Sequence, residues 1–105
     1  MPYIDYSAVR GLVTIKEALE QLGYELVRRW SNGRLRGRCP LCQTERGKSR
    51  PFFTTPTKRL WQCFRCGEKG DVTELWARAR RMSRYDAALE LCRLFGCELP
   101  VRKDA

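Results

Sequence analysis

Residues 39–42 read CPLC and residues 63–66 read CFRC, and this repeated Cys-x-x-Cys pattern decides the fold of the chain. Each pair occupies a tight turn, so its two sulfurs converge on one point. Two such turns at the ends of neighbouring strands supply the four corners of a tetrahedron, which is how structural zinc sites use four cysteines. We therefore expect one structural Zn²⁺, with no position open for a catalytic water, bound by Cys39, Cys42, Cys63 and Cys66.

The residues beside the cysteines help to separate metal binding from other thiol chemistry. Gly67 directly follows Cys66, which fits a knuckle whose backbone N–H groups turn back toward the sulfurs, whereas Gln43 at the matching position fits less well. An iron–sulfur cluster also takes four cysteines, but the ribbon-like spacing favours zinc. A redox couple fits less well still, because neither pair lies between a strand and the N-terminus of a helix.

Disulfides are the remaining interpretation of six cysteines in a 105-residue chain. They are typical of secreted proteins, and the first residues, MPYIDYSAVRGLVTIKEALEQ, lack the basic and apolar regions of a signal peptide. No apolar run approaches the roughly 20 residues that span a bilayer. We therefore expect a cytoplasmic protein with reduced thiols and no membrane contact. Cys92, on an apolar helix face, is expected to pack in the core, whereas the place of Cys97 is left open.

Helix and strand signals surround the cysteine pairs. TIKE at 14–17 is a capping box that begins a helix. Two short runs on either side of Asn32 and Gly33 predict a hairpin with a type I′ turn, and PFFTT and KRLWQC predict two further strands. Asp71 and Ser83 are expected to cap two closing helices. The first dozen residues allow a short helical turn followed by coil.

These elements predict an α+β zinc ribbon: a small antiparallel β-sheet with zinc at one end, flanked by an N-terminal helix and two C-terminal helices. At 105 residues the chain is expected to form one domain. We divide it into an N-terminal segment (1–13), a domain core (14–100) and a tail (101–105). A chain this short buries a small fraction of its surface, so a metal cross-link helps to stabilise it.

The net charge of +9 is concentrated on the segment that holds the cysteine pairs. Residues 28–69 carry 12 Lys and Arg against 2 Asp and Glu, whereas residues 1–27 carry 2 against 4 and residues 70–105 carry 7 against 6. A local basic field attracts polyanions, of which nucleic acid is the partner we expect. A solvated, solubilising surface is the plainer alternative.

Basic and aromatic residues are interleaved along the predicted strands, a composition typical of sheets that stack bases while cations follow the phosphates. Period two places the three arginines of RLRGR at 34–38 on one face of a strand. One aromatic face must be core, because a sheet beside amphipathic helices needs an apolar side, and the sequence leaves open which face that is. We expect the nucleic-acid-binding residues to be among Arg34, Arg36, Arg38, Phe53, Lys58, Arg59, Trp61, Phe64, Arg65 and Lys69.

The stretches RGRCPLC and PFFTTPTKRLWQCFRCGEKGDV, followed by two helices ending in ELP, resemble the zinc-binding domain of bacterial-type DNA primases. The resemblance runs from Ile15 to Pro100, and its Cys-Pro opening, Pro-x-Lys turn and Cys-Phe-x-Cys-Gly knuckle occur together. That family normally uses three cysteines and one histidine, which would fall at Cys42. Cysteine there keeps zinc binding feasible and adds a negative charge. The loop from Gln43 to Arg50 is also a few residues longer than usual.

The resemblance implies a zinc ribbon that binds single-stranded template DNA and helps primer initiation. In primases this domain is followed by a polymerising domain with clustered carboxylates for magnesium, whereas this sequence ends at Ala105 without such a cluster. We therefore expect a stand-alone accessory factor for replication or mobile-element DNA, and not an enzyme. No histidine, open metal position or nucleophile–base pair is apparent, so no catalytic residue is expected. The alternative is a protein–protein adaptor whose closing helices dock onto a polymerase, helicase or recombinase.

Overall fold

The structure is a computed structural model that describes residues 3–24, 26–29, 35–42, 51–55 and 59–102, with the backbone alone for 3, 26–29 and 102. Its elements in chain order are β1 (Tyr3–Ile4), α1 (Tyr6–Leu12), α2 (Ile15–Gln21), β2 (Leu26–Arg29), β3 (Leu35–Gly37), β4 (Phe52–Thr55), β5 (Leu60–Cys63), β6 (Lys69–Gly70), α3 (Val72–Arg80), α4 (Arg84–Leu94) and β7 (Val101–Arg102). The predicted α+β class is confirmed. Within these described ranges, no helix combines the length and the apolar character needed to cross a membrane.

Helix α2 begins at the capping box that the sequence predicts. The hydroxyl oxygen of Thr14 accepts a hydrogen bond from the backbone N–H of Glu17, and Oε1 of Glu17 accepts one from the backbone N–H of Thr14, both at 3.0 Å. The two bonds satisfy N–H groups that the first turn of a helix cannot pair internally. Ile15, Ala18 and Leu19 are buried in the core, so the predicted apolar face of this helix is confirmed.

Helix α1 occupies the start of the chain, where the sequence signal is ambiguous. Asp5 caps it, because one carboxylate oxygen accepts a hydrogen bond from the backbone N–H of Ala8 at 3.3 Å. Val9 lies on its buried side and Val13 follows its end, and both side chains are almost fully buried. This helix therefore contributes to the same core as α2.

The two ends of the described chain are joined by a small second sheet. Strands β1 and β7 pair antiparallel, with Ile4 opposite Val101. The backbone N–H of Asp5 donates to the carbonyl oxygen of Pro100 at 3.0 Å and extends the connection. The segment predicted as a tail from residue 101 thus begins with a strand. Strands of two residues are too short to give a recognisable pattern in the sequence.

The main sheet has the strand order β2-β3-β4-β5-β6, and each neighbouring pair is antiparallel. The predicted hairpin is present as β2 and β3, with an irregularity in pairing between Leu26 and Arg28. The turns predicted at 32–33 and 56–57 lie outside the described residues. Strands β4 and β5 form the centre of the sheet, with Phe52 opposite Cys63.

The side chains of β4 and β5 divide the sheet into an inner and an outer face. On the inner face the rings of Phe52 and Trp61 stack with centroids 5.5 Å apart. Trp61 is 2% exposed, and its indole N–H donates to the backbone oxygen of Asp71 at 2.7 Å, which fixes β5 against the start of α3. The helices cover this face with a core that includes Leu19, Val72, Leu75, Trp76 and Leu91.

The closing helices begin at the residues that the sequence predicts. At the start of α3, Oδ1 of Asp71 accepts a hydrogen bond from the backbone N–H of Glu74 at 3.0 Å. At the start of α4, the hydroxyl oxygen of Ser83 accepts one from the backbone N–H of Asp86 at 3.0 Å. Both N-caps are therefore confirmed, and the two helices pack against each other beneath the sheet.

Candidate metal centre and nucleic-acid surface

The second cysteine pair forms a knuckle at the end of β5. The backbone N–H of Cys66 points at Sγ of Cys63 with an N···S distance of 3.5 Å. Gly67 then reverses the chain with a φ of 75°, and its N–H donates to the carbonyl oxygen of Cys63 at 3.0 Å. A positive φ favours glycine over residues that carry a Cβ atom. The predicted role of Gly67 in the knuckle is therefore confirmed.

The first cysteine pair lies in the turn that follows β3. The sequence predicts that the two pairs follow neighbouring strands. In the structure β3 and β5 are not neighbours, because β4 lies between them. Both strands run antiparallel to β4 and therefore parallel to each other, so their carboxyl ends reach the same edge of the sheet. The turns that carry Cys39 and Cys63 meet at that edge, which is why pairs separated by a whole strand converge.

The four sulfur atoms form a compact cluster. Sγ of Cys39 lies 3.9 Å from Sγ of Cys66, and Sγ of Cys42 lies 3.8 Å from Sγ of Cys63. All four sulfur atoms lie within 4.8 Å of one another. Thiolates placed about 2.3 Å from a tetrahedral zinc ion are separated by about 3.8 Å, so these distances fit zinc. The cluster is positioned to bind one zinc ion, as predicted.

Burial disfavours the thiolate form of two of the four cysteines. Cys39 and Cys63 are buried, Cys42 is partly buried and Cys66 is exposed. Burial raises the pKa of the Cys39 thiol and of the Cys63 thiol above the ordinary value for cysteine, because a buried thiolate loses its hydration. A coordinated dication would reverse that preference and hold the thiols deprotonated. With four protein ligands the site is closed, which is the form of a structural zinc site.

The outer face of the sheet carries a row of polar and aromatic side chains. The register places Arg36 opposite Phe53, Phe53 opposite Gln62, and Gln62 opposite Lys69, so the row crosses four strands from β3 to β6. A shallow groove of about 700 Å³ lies along this row and includes Phe53, Gln62, Phe64 and Lys69 in its lining. We call these residues, Arg36, Phe53, Gln62, Phe64 and Lys69, the outer row.

Phe64 extends from the zinc knuckle onto the outer row. Its ring stacks on the ring of Phe53 with centroids 4.8 Å apart and planes inclined by 27°. The guanidinium carbon of Arg36 lies 6.0 Å from the centroid of Phe64, within reach of a cation–π contact. Phe53 is 8% exposed beneath it, whereas Phe64 is 67% exposed. The knuckle therefore presents an aromatic ring to solvent, supported from below and flanked by a cation.

Comparison with known proteins identifies the family. The model of the CHC2 zinc finger family matches residues 5–105. The chain belongs to the CHC2 zinc finger family. The resemblance to primase zinc-binding domains noted in the sequence is thereby confirmed. Because the chain contains no histidine, all four ligand positions of this CHC2 zinc finger are cysteines.

Curated relatives of this CHC2 zinc finger are DNA primases. It is 35% identical over 52 residues to a DNA primase of Aquifex aeolicus, covering 50% of this chain and 10% of that protein. It is 30% identical over 95 residues to a DNA primase of Rickettsia typhi and 28% identical over 95 residues to one of Rickettsia bellii. Each of the latter alignments covers 90% of this chain and 15% of the relative. The chain thus spans a small part of the length of these relatives.

A solved structure shows the same fold. The crystal structure of the zinc-binding and RNA polymerase domains of the Aquifex aeolicus primase superposes with a TM-score of 0.72 at 24% sequence identity. The match covers 97% of this chain and 24% of that one. The predicted zinc-ribbon architecture is therefore confirmed.

The predicted nucleic-acid-binding residues fall into several groups. Arg36, Phe53, Phe64 and Lys69 lie together on the outer row. Arg65 is exposed in the knuckle. The guanidinium of Arg38 lies 5.6 Å from the ring centroid of Tyr24, and Arg59 lines a separate cavity of about 260 Å³. Arg34 and Lys58 lie outside the described residues.

Trp61 was among the predicted nucleic-acid-binding residues, and the structure corrects this prediction. Its ring is 2% exposed, stacked on Phe52, and its only side-chain N–H is bonded to the backbone of Asp71. A ring in that position has no face free for a base, so Trp61 belongs to the core. Gln62 lies in the outer row and is not among the residues predicted from the sequence. Strict alternation along β5 puts it on the face opposite Trp61, but that alternation is informative only once the inner face is known.

Proposed function

We propose that this CHC2 zinc finger binds single-stranded DNA through its outer row, as an accessory factor in DNA replication or primer initiation. The observation that carries the proposal is the position of Phe64, a ring 67% exposed that is stacked on Phe53 and flanked by Arg36. An exposed hydrophobic ring of this size has no role in the core. Stacking with an unpaired base is the interaction that its position favours.

Charge supports a polyanionic ligand. The segment 28–69 has an excess of 10 positive charges, and it contains every residue of the outer row. Arg36 and Lys69 lie at opposite ends of the row, on β3 and β6, so a strand crossing the sheet would meet a cation on each side of the aromatic pair. This arrangement suits a backbone of phosphates with bases turned toward the sheet.

A single strand fits the surface better than a duplex. Bases in a duplex are stacked on one another, so their faces are not available to Phe64 unless the duplex is opened. The outer row also lies on a sheet, and none of its described residues belongs to a helix that could enter a major groove. The relatives of this chain are DNA primases, which favours a template strand as the ligand.

The zinc site supports the surface without taking part in chemistry. The cysteines would hold zinc and fix the knuckle, and the knuckle would hold Phe64 between Cys63 and Cys66 over Phe53. The family match is to a zinc finger, and the closed ligand set leaves no coordination position for a substrate. We therefore assign binding, and no catalytic step, to this chain.

A titration of fluorescent oligonucleotides tests the proposal. The zinc-loaded chain is mixed with a single strand, the matching duplex and the matching RNA at low and at moderate salt. The single strand is expected to bind most tightly, and Phe64→Ala is expected to weaken it roughly tenfold or more, since one stacked base contributes about 1–3 kcal/mol. Tyr85→Ala is the matched control, because Tyr85 is an aromatic residue 54% exposed on α4. Equal weakening by both variants, or no binding at micromolar protein in low salt, would contradict the proposal.

A protein contact through α4 is the second candidate function. Tyr85 and Leu89 lie one helical turn apart and are 54% and 38% exposed, an arrangement that suits docking against another protein. A polymerase, helicase or recombinase is the expected class of partner. Recovery of such a partner after nuclease treatment in high salt should be lost in Tyr85→Ala and kept in Phe64→Ala. The opposite pattern would assign the contact to the outer row.

A further inference from the structure

Two cysteines that do not belong to the metal cluster meet at the end of α4. The helix ends at Leu94, Phe95 follows as its C-cap, and Gly96 reverses the chain with a φ of 66°. The backbone N–H of Cys97 then donates to the carbonyl oxygen of Cys92 at 2.9 Å. This bond, from the second residue past the cap back to the last turn, is the 6→1 hydrogen bond of a Schellman motif.

The motif joins the two cysteines through the backbone. In a Schellman motif the side chains of the two residues joined by the 6→1 bond commonly contact each other, as a hydrophobic pair that closes the helix end. Here both residues are cysteines, and both are free thiols. The backbone bond between them also keeps their Cα atoms close, which a disulfide requires.

The two thiols differ in access to solvent. Cys92 is 4% exposed in the core, whereas Cys97 is partly exposed and packs against the edge of the core. Burial, together with the neighbouring Cys97 thiol, raises the pKa of Cys92 to about 11, so little of its thiolate is present at neutral pH. A reagent in solution therefore reaches the Cys97 thiol more readily than the Cys92 thiol.

We propose that Cys92 and Cys97 form a reversible redox pair, separate from the zinc site, in which Cys97 is the reacting thiol and Cys92 the resolving thiol. With hydrogen peroxide as oxidant, the Cys97 thiolate attacks one oxygen, giving a sulfenic acid on Cys97 and releasing hydroxide. The sulfur of Cys92 then attacks the sulfenic sulfur, and the S–S bond forms as water leaves. Two thiols are oxidised to one disulfide, and one peroxide is reduced to two waters.

The disulfide would close a short ring at the end of α4. Only residues 93–96 separate the two cysteines, so the link would constrain the unfolded chain little and change stability little. Its effect is local: it would join the last turn of the helix to the segment that leads into β7. The zinc thiolates lie in the separate cluster formed by Cys39, Cys42, Cys63 and Cys66.

The experiment treats the zinc-loaded full chain with increasing hydrogen peroxide, quenches it by alkylation, and maps the peptides by mass spectrometry while a chromogenic chelator reports released zinc. The expected result is the loss of two hydrogen atoms per chain, a Cys92–Cys97 cross-link, retained zinc at the same peroxide dose, and full reversal by dithiothreitol. Zinc release at lower peroxide than the cross-link, or over-oxidised Cys97 with Cys92 still open to alkylation after unfolding, would overturn the proposal.

Two variants separate the roles of the thiols. In Cys97→Ser, Cys92 is expected to stay reduced at doses that cross-link the parent chain. In Cys92→Ala, which keeps a small apolar side chain in the core, Cys97 is expected to stop at a sulfenic acid that a dimedone probe captures. If Cys92→Ala does not fold, dimedone capture on the parent chain at early times still identifies the first thiol to react. Labelling of Cys92 ahead of Cys97 there, or oxidation of Cys92 at an unchanged rate in Cys97→Ser, would contradict the assigned order.

Discussion

The carboxylate of Asp71 lies 2.7 Å from Nη2 of Arg84, and the Asp71 side chain is fully buried. The same carboxylate oxygen accepts a second hydrogen bond from Nε of Arg10 at 3.1 Å, while the other oxygen caps α3 and accepts from the hydroxyl of Thr73 at 2.7 Å. Arg84 in turn lies over the ring of Tyr6, 4.1 Å from its centroid. One carboxylate therefore joins α1, α3 and α4 beneath the sheet.

Asp71→Ala is expected to destabilise the domain by about 2–4 kcal/mol. The substitution removes an N-cap, which contributes about 1 kcal/mol, and leaves two arginines without their buried partner. Because both arginines are partly exposed, part of that loss is recovered by hydration. Urea unfolding of the zinc-loaded protein measures the change. The control is Arg78→Ala, which removes an exposed ion pair with Glu68 and should cost less than about 1 kcal/mol.

Acid is expected to weaken the same junction. Burial alone would raise the pKa of Asp71, but hydrogen bonds from Thr73 and the Glu74 backbone, with the charge of Arg84, outweigh it and hold the pKa below its usual 3.8. The unfolded state therefore binds this proton more tightly than the folded state. The stabilisation is fully present above pH 3.8 and is lost as the pH falls below it, through the folded pKa.

Urea unfolding of the parent chain and of Asp71→Asn, in parallel over this acid range, measures the contribution of the Asp71 carboxylate to the free energy of unfolding. The two proteins are compared only at pH values at which both keep their zinc, so the difference between them isolates Asp71. The difference should shrink as the pH falls. A difference that stays constant down to the lowest pH would show that Asp71 does not titrate with a lowered pKa.

Metal removal is expected to unfold the ribbon. Elemental analysis should give about one zinc per chain, and Cys63→Ser should lose both the zinc and the β-sheet signal in circular dichroism, because zinc binding and folding are coupled. Cys92→Ala is the matched control, since Cys92 is a buried cysteine outside the cluster. A chain that keeps its sheet signal after complete chelation would contradict the prediction.

Lys69→Ala is expected to weaken single-strand binding for all base sequences alike. If Lys69 neutralises one phosphate, its removal should reduce the slope of log K against log salt by about 0.7. The salt-dependent titration measures this slope directly. Lys16→Ala is the control, because Lys16 is an exposed lysine on α2, outside the outer row, and pairs there with Glu20. Equal changes in slope for both lysines would indicate a diffuse field in place of a defined surface.

Trp61→Phe and Phe64→Leu are expected to have opposite effects. Trp61→Phe removes the hydrogen bond to Asp71 in the core, so it should lower the free energy of unfolding by about 1–3 kcal/mol and leave DNA affinity unchanged while the protein is folded. Phe64→Leu should lower DNA affinity with little change in stability, because the ring is exposed. Urea unfolding and oligonucleotide titration on both variants check this. A lower DNA affinity of folded Trp61→Phe would indicate that Trp61 contacts the DNA after all.

The parts of the fold that were predictable from sequence depend on short-range chemistry. The Cys-x-x-Cys pairs, the capping box at Thr14 and the N-caps at Asp71 and Ser83 each involve residues within a few positions of one another. Their geometry is set by the local backbone, so the pattern of residue types is sufficient. The metal ligands were identifiable for the same reason, although the strands that precede them are not neighbours in the sheet as expected, because β4 lies between β3 and β5.

The parts that were not predictable depend on contacts between distant residues. Period two separates Phe52 from Phe53, but nothing local says which ring faces the helices, and for that reason Trp61 is among the candidate contact residues. Asp71 was expected only as a cap, because its partner Arg10 is 61 residues away. The division of the chain into segments at residues 13 and 100 stays a prediction.

The pairing of β1 with β7 affects how this zinc finger can be attached to other domains. Tyr3 and Arg102, the first and last described residues, lie opposite each other on two strands held in register. A domain whose two ends are adjacent can be placed between, before or after other domains without distortion of its core. Joining the two ends with a short linker and opening the chain elsewhere should therefore leave the zinc ribbon intact.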